Sequence, residues 1–191
     1  MALNKEFYDS GTRSLARKLL GKVLVSETDE GLTSGIIVET EAYLFKNDPA
    51  CHAHKGQTKR NAPMFGQAGT SYVYLIYGMY YCFNVVSAKK GIGEAVLIRA
   101  LEPLEGKDIM FSRRGVKKEK DLCSGPGKLC DALAINKSHN ELCLRKSVLR
   151  IKDAPDIKKF KIYQTTRIGI NVGKDLPLRY YIKDNSFISK P

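Results

Sequence analysis

The 191 residues carry 32 Lys and Arg against 20 Asp and Glu, a net charge of +12 spread along the chain rather than gathered in a tail. That length suits one domain, residues 1–191, with a core of its own, and the basic balance fits a folded protein with a polyanionic partner. Five cysteines without a CxxC pair fit reduced buried thiols of a cytosolic protein, and MALNKEFYDS shows no basic segment followed by an apolar stretch, so no secreted disulfide framework is expected.

In chain order, Asp9 or Ser10 is placed to cap a helix through Leu15, Leu19 and Leu20, with Gly21 to end it. The period then changes to that of strands: 22–27, a turn near Asp29 to Gly31, and 34–43 read as a hairpin. Residues 45–68, rich in Lys, His, Asn and Pro, read as loop-like or short-helical and could drape over a site. Strands follow near 71–77, 80–87 and 94–101. Beyond Pro103 the pattern turns helical, with Pro126 in the first turn of a helix, and the tail offers short strands near 147–151, 166–172 and 179–183. Strands flanked by helices without a βαβ rhythm predict an α+β domain around a curved, mostly antiparallel sheet with a protruding β-hairpin.

That hairpin falls in the charge-free run Gly66 to Ala88, which holds five of the ten tyrosines: Tyr72, Tyr74, Tyr77, Tyr80 and Tyr81. Its 23 residues could span a membrane, but Gln67, Thr70, Ser71, Asn84 and the Gly78 break favour a buried hairpin. Tyr is a strand former and such residues often only pack; flat rings beside a basic chain also offer stacking platforms for bases. A two-residue Gly78-Met79 turn would set Tyr74 and Asn84 on opposite faces, whereas an odd-length loop sets them on one face with Tyr77 at the tip.

Four further features bear on chemistry. Alternation places Ile37, Glu39, Glu41 and Tyr43 on one side of their strand; two carboxylates there are either solvated or, if covered, candidates for a general base. Arg99, a charge in an apolar strand, is satisfied by pairing with Glu39 or Glu41. Cys51, His52 and His54 invite a zinc site, but the spacing is poor and no second ligand pair follows, so no metal is expected. Asn84 among apolar neighbours needs partners if buried: a backbone bond, or the edge of a base.

The ordered segments IVETEAY, DPACHAHKGQTKRNAPMF, SYVYLIYGMYYCFNVV, LIRALEPLEG, LCSGPGKLCDALAIN and RIGI…PLRYY resemble the alkyladenine (3-methyladenine) DNA glycosylase family over residues 11–189. The resemblance implies a monofunctional, cofactor-free and metal-free enzyme of base-excision repair. Working as a monomer from the minor groove of double-stranded DNA, it would flip out alkylated or deaminated purines and hydrolyse the N-glycosidic bond. Glu41 would deprotonate the attacking water, with Arg99 and the backbone carbonyl near Ile168 helping to hold it. Tyr43 and His52 would face the base on one side and Tyr74 on the other, Asn84 would guard the pocket, and Tyr77 would fill the gap in the stack. No membrane partner is implied; the location would be the bacterial cytoplasm at the nucleoid, or the nucleus in a eukaryote. Two rivals are a non-catalytic nucleic-acid-binding module on the same scaffold and a metal-dependent hydrolase built on Cys51, His52 and His54.

Overall fold

A computed structural model describes residues 3–154 and 159–191. Helix α1 (Lys5–Tyr8) starts at Asn4, whose side chain accepts the Phe7 N–H at 3.0 Å; four residues are too few to show a helical period in the sequence. Helix α2 (Thr12–Leu19) buries Leu15, Ala16 and Leu19. Its N-cap is Gly11, at φ 80 and without a side-chain bond, rather than Asp9 or Ser10. Asp9 closes α1 and the Ser10 hydroxyl donates to the Phe7 carbonyl, so the second helix begins in the turn left by the first.

Strand β2 (Gly31–Tyr43) is the hub of an eight-stranded antiparallel sheet in which β3 (Ser71–Ile76), β4 (Tyr80–Val86), β5 (Ala95–Glu105), β2, β1 (Val23–Thr28) and β6 (Leu149–Lys152) are successive neighbours. Its first half pairs with β1 and residues 39–41 pair with β8 (Arg179–Ile182), while β5 runs along its other edge. Outside these lie β3, β4, β6 and β7 (Ile162–Thr165), the last paired with β8. Helices α3 (Lys107–Arg114) and α4 (Pro126–Ala132) follow the strand-rich half, and Pro126 opens α4 as expected. The architecture is α+β around a curled antiparallel sheet. Two expectations shift: β5 continues past Pro103 to Glu105 before any helix begins, and the tail strand lies at Ile162–Thr165, leaving 166–172 outside regular structure.

Alternation along the strands sorts side chains between two compartments. On one face Val73, Phe83, Val85, Val96 and Ile98 join Leu15, Leu19, Leu129 and Leu133 in the main core. On the other, Tyr72, Val86 and Ala95 pack with Cys51, Ala53 and Met64 in a smaller cluster that fastens the 45–68 segment to the sheet. Gly93 sits at this junction, because a Cβ there would lie 2.5 Å from Ala53 Cβ and 2.6 Å from the Phe65 ring. Gly93→Ala is therefore expected to overpack the smaller cluster at a cost of about 1–3 kcal/mol, a fall in Tm of roughly 2–10 °C, read by thermal denaturation.

Candidate active site

The face opposite the main core carries a cavity of about 550 Å³, a size that fits a small-molecule or base-sized group. Its strand wall consists of alternating residues of three neighbouring strands: Tyr72, Tyr74 and Ile76 of β3, Tyr80, Cys82 and Asn84 of β4, and Ala95, Leu97 and Arg99 of β5. These share a face because β3 and β4 are joined by a three-residue loop. Ile76 pairs with Tyr80, Tyr74 with Cys82 and Tyr72 with Asn84, which leaves Tyr77, Gly78 and Met79 outside the ladder. The odd loop length expected from the sequence is the one found. Tyr77 adopts the left-handed conformation at φ 53 and its side chain is 82% exposed, with Met79 beside it also exposed.

The remaining walls come from loops. His52 and Met64 belong to the draped 45–68 segment, Gly125 to Lys128 to the start of α4, and Ile168 to Ile170 to the turn after β7. Gly127 lets α4 approach, since a Cβ there would meet the Tyr80 ring at 3.2 Å.

Glu41 lies at the back of this space, fully buried and not itself among the lining residues. Its three nearest polar partners do line the cavity or its edge: Ile168 N–H donates to Oε1 at 2.8 Å, the Tyr43 hydroxyl donates to Oε2 at 2.9 Å, and Arg99 Nη1 stands 3.4 Å from Oε1. Glu39, on the same face, meets Arg99 Nε and Arg179 Nε at 3.4 Å each and accepts the N–H and hydroxyl of Ser189. The expected pairing of Arg99 is thus with both carboxylates. Ile37 leaves their face: it joins Val38 in the main core, and the β2–β5 register shifts between Ile37 and Glu39. Burial pushes the Glu41 carboxyl above the ordinary carboxylate range, against the pull of Arg99, the Ile168 N–H and the Tyr43 hydroxyl. A carboxylate so placed is a stronger base than one in water.

The aromatic wall is a connected set. His52 packs edge-on to Tyr74 with centroids 4.7 Å apart, Tyr72 and Tyr74 lie 5.3 Å apart, and His52 Nδ1 is 3.0 Å from the Tyr72 hydroxyl. Packing, with Arg60 nearby, holds the His52 imidazole below its ordinary pKa, and burial pushes the Tyr72 phenol up to about 12. The rings are therefore neutral near pH 7. Asn84 donates from Nδ2 to the Tyr72 carbonyl at 3.0 Å, the ordinary backbone partner, while its side chain also lines the cavity.

Cys51 and His52 do not converge, since the Cys51 thiol points to the Gly93 carbonyl and His52 to Tyr72. Among the described residues no three His, Cys, Asp or Glu side chains are grouped to hold a metal ion. Sequence reasoning missed Cys82 and Met64, and where the resemblance pointed to a backbone carbonyl near Ile168, it is the Ile168 N–H that meets Glu41.

An aromatic slot with a buried, polarised carboxylate behind it, in a strongly basic chain, has the form of an enzyme that acts on a flat ring carried by a polyanion. The chain belongs to the methylpurine-DNA glycosylase family, whose match covers residues 6–186. It is 54% identical over 182 residues to a protein of Francisella tularensis subsp. tularensis (strain SCHU S4), covering 94% of each chain. It is 51% identical over 191 residues to one of Carboxydothermus hydrogenoformans and 48% over 193 residues to one of Methanoculleus marisnigri, covering 100% of each chain in both cases. All three relatives are provisionally named 3-methyladenine DNA glycosylase. Among the described residues no helix is long and apolar enough to cross a membrane.

The ion-pair geometry predicts how stability responds to Arg99. Arg99→Met leaves Glu39 and Glu41 buried without their shared cation, and breaking such a cluster costs about 3–5 kcal/mol. A carboxyl with a raised folded pKa binds its proton more tightly in the folded state. The stability it contributes is present at low pH and lost as pH rises through that pKa. Melting curves of Arg99→Met across pH are thus expected to show a deficit that shrinks towards acid and is largest near neutral pH.

Proposed function

We propose that the cavity receives a damaged purine flipped out of double-stranded DNA, and that Glu41 activates the water that hydrolyses its N-glycosidic bond, leaving an abasic site. The observation that carries this reading is the placement of Glu41. Its carboxylate is buried, yet both oxygens are held by groups at the cavity wall, so a water admitted between Tyr43, Arg99 and Ile168 would meet a base already oriented. Departure of the base develops positive charge on the sugar, and a nearby carboxylate both stabilises that charge and takes a proton from the water.

The aromatic wall supports the choice of substrate. Purines alkylated at N3 or N7 are cationic, so stacking them against the Tyr43, His52 and Tyr74 rings adds a cation–π term that a normal base lacks. Asn84, at the strand wall of the cavity, would meet a base edge as a guard. Arg114 and Lys128, also at the cavity, fit the phosphates of the flipped nucleotide's strand. Tyr77, at the exposed tip of the three-residue loop, would enter the duplex and occupy the space the base leaves. The enzyme would work as a monomer and without a cofactor, in the bacterial cytoplasm at the nucleoid or in the nucleus of a eukaryote.

Glu41→Gln is expected to lower single-turnover excision of 7-methylguanine or 3-methyladenine from duplex DNA by at least roughly 10²- to 10⁴-fold, with binding to an abasic-site duplex nearly unchanged. Wild-type rates in that variant would remove Glu41 as the base; absence of excision by the wild-type protein, with binding retained, would leave a nucleic-acid-binding module as the better description. Tyr77→Ala is expected to reduce excision most at well-paired lesions and least opposite a mismatch, where unstacking costs less. Its melting temperature should stay close to that of the wild type, because the exposed ring has little packing to lose; a uniform rate loss with a large fall in Tm would mark Tyr77 as a packing residue.

A further inference from the structure

Arg167 and Asp48 form a doubly hydrogen-bonded ion pair, yet neither lines the cavity. Arg167 Nη1 and Nη2 donate to the two carboxylate oxygens of Asp48 at 2.7 and 2.6 Å, and both side chains are fully buried. A buried pair of this kind is weak evidence for stability, because apolar residues of similar volume often serve as well. What the guanidinium fork supplies beyond attraction is fixed geometry.

That geometry reaches the proposed base from two sides. The Arg167 guanidinium stacks on the Tyr43 ring at 4.6 Å from its centroid, and Tyr43 donates to Glu41 Oε2. The next residue, Ile168, donates its N–H to Glu41 Oε1. Arg167 also holds the Ala42 carbonyl at 3.1 Å, between Glu41 and Tyr43 in the strand. Asp48 in turn accepts the Leu44 and Ala50 N–H groups at 2.9 and 3.2 Å, fixing the start of the loop that brings His52 to the aromatic wall. We infer that the Arg167–Asp48 pair is the positioning device of the site: it ties β2, the His52 loop and the Ile168 turn together, so that both oxygens of Glu41 and the Tyr43 ring are set before DNA arrives. This rests on the proposed role of Glu41 and adds two residues that act through others.

The test uses Arg167→Lys, which keeps the charge but loses the fork, with single-turnover excision from a 7-methylguanine duplex measured across pH and normalised to folded protein. The charged and titratable groups facing Glu41 are Arg99 from β5, Glu39 from β2, Tyr43, Cys82 from β4 and Arg167 itself. With Arg99 and Glu39 untouched and the Arg167 charge kept, a moved pH profile reports the donors. The Tyr43 hydroxyl and Ile168 N–H favour ionised Glu41, so letting them slip raises its pKa. The rising acidic limb of the rate profile should therefore move to higher pH. The maximal rate should fall on the order of 10- to 100-fold, with abasic-duplex affinity within about threefold of wild type, since no DNA-facing group has changed.

Tyr43→Phe should move the same limb in the same direction, and the double variant should lose less than the product of the single losses, because both act along one path. Asp48→Asn, which keeps the shape and one acceptor oxygen, should show a smaller rate loss at unchanged affinity and serves if Arg167→Lys does not fold. Wild-type rates with an unmoved limb in folded Arg167→Lys or Asp48→Asn, or losses that simply multiply with Tyr43→Phe, would overturn the inference and leave the pair as scaffold. A wild-type rate in Glu41→Gln would instead remove the role of Glu41, whatever the Arg167 variants do.

Discussion

Two carboxylates buried on one face of one strand cannot both stay ionised without a cation between them, and the guanidinium of Arg99 reaches Glu39 and Glu41 at 3.4 Å each. The sheet deforms around this contact. Between Ile37 and Thr40 the β2–β5 register shifts twice, gaining a residue at Val38 and returning it at Arg99. Paired bulges of this kind re-aim side chains without displacing the rest of the ladder. Glu39 then spends its remaining capacity on Arg179 and on the N–H and hydroxyl of Ser189, which draws the last residues of the chain over the cluster. Closure of the sheet by β8, the docking of the C-terminal segment and the orientation of the proposed base all answer to the same buried charges.

The position of the cavity follows from strand phase. Side chains two apart on β3, β4 and β5 face it while their neighbours fill the main core, so any change in the β3–β4 loop by one residue would turn Tyr74 or Cys82 inward and replace it with a core residue. A three-residue loop with Tyr77 and Gly78 both at positive φ keeps the phase and leaves the tyrosine outside. One local choice of backbone therefore sets both the aromatic wall and the exposed ring at the tip.

Much of this was legible because strands announce themselves by alternation. The hairpin 22–43, the tyrosine-rich pair and the Arg99 strand lie close to their expected places, and a charge inside an apolar strand is a visible demand for a partner. The failures have common causes. Helix α1 is too short to show a period, and in the strand expected at 166–172 Ile168 and Ile170 face the cavity rather than a sheet. Ile37 left its face because a bulge breaks alternation in a way no period records. Asp48 and Arg167 are 119 residues apart, and nothing local to either indicates that they meet; within their own segments they read as a loop aspartate and a strand-end arginine.

The electrostatics of the cavity bear on how an excised base would be chosen. No carboxylate lines it among the described residues; the one proposed for chemistry is held behind Tyr43 and Arg99. The aromatic rings of the wall are neutral, His52 with its pKa held down and the tyrosines with theirs held up, while Arg99, Arg114 and Lys128 add positive charge at the lining that works against the cation preference of the rings. Such rings favour a cationic purine over a neutral one by a cation–π term of about 0.5–2 kcal/mol, a factor of at most ~30. Undamaged purines outnumber lesions by far more than that, so stacking alone cannot supply the selectivity. The remainder has to come from steps in which the damaged base differs more: the lower cost of unstacking a weakened pair, and the greater ease with which a cationic base departs. On the proposed reaction, the cavity need not bind lesions tightly. It needs to hold any flipped purine long enough for the bond of a damaged one to break first, and for that a rigidly placed carboxylate matters more than a close-fitting wall.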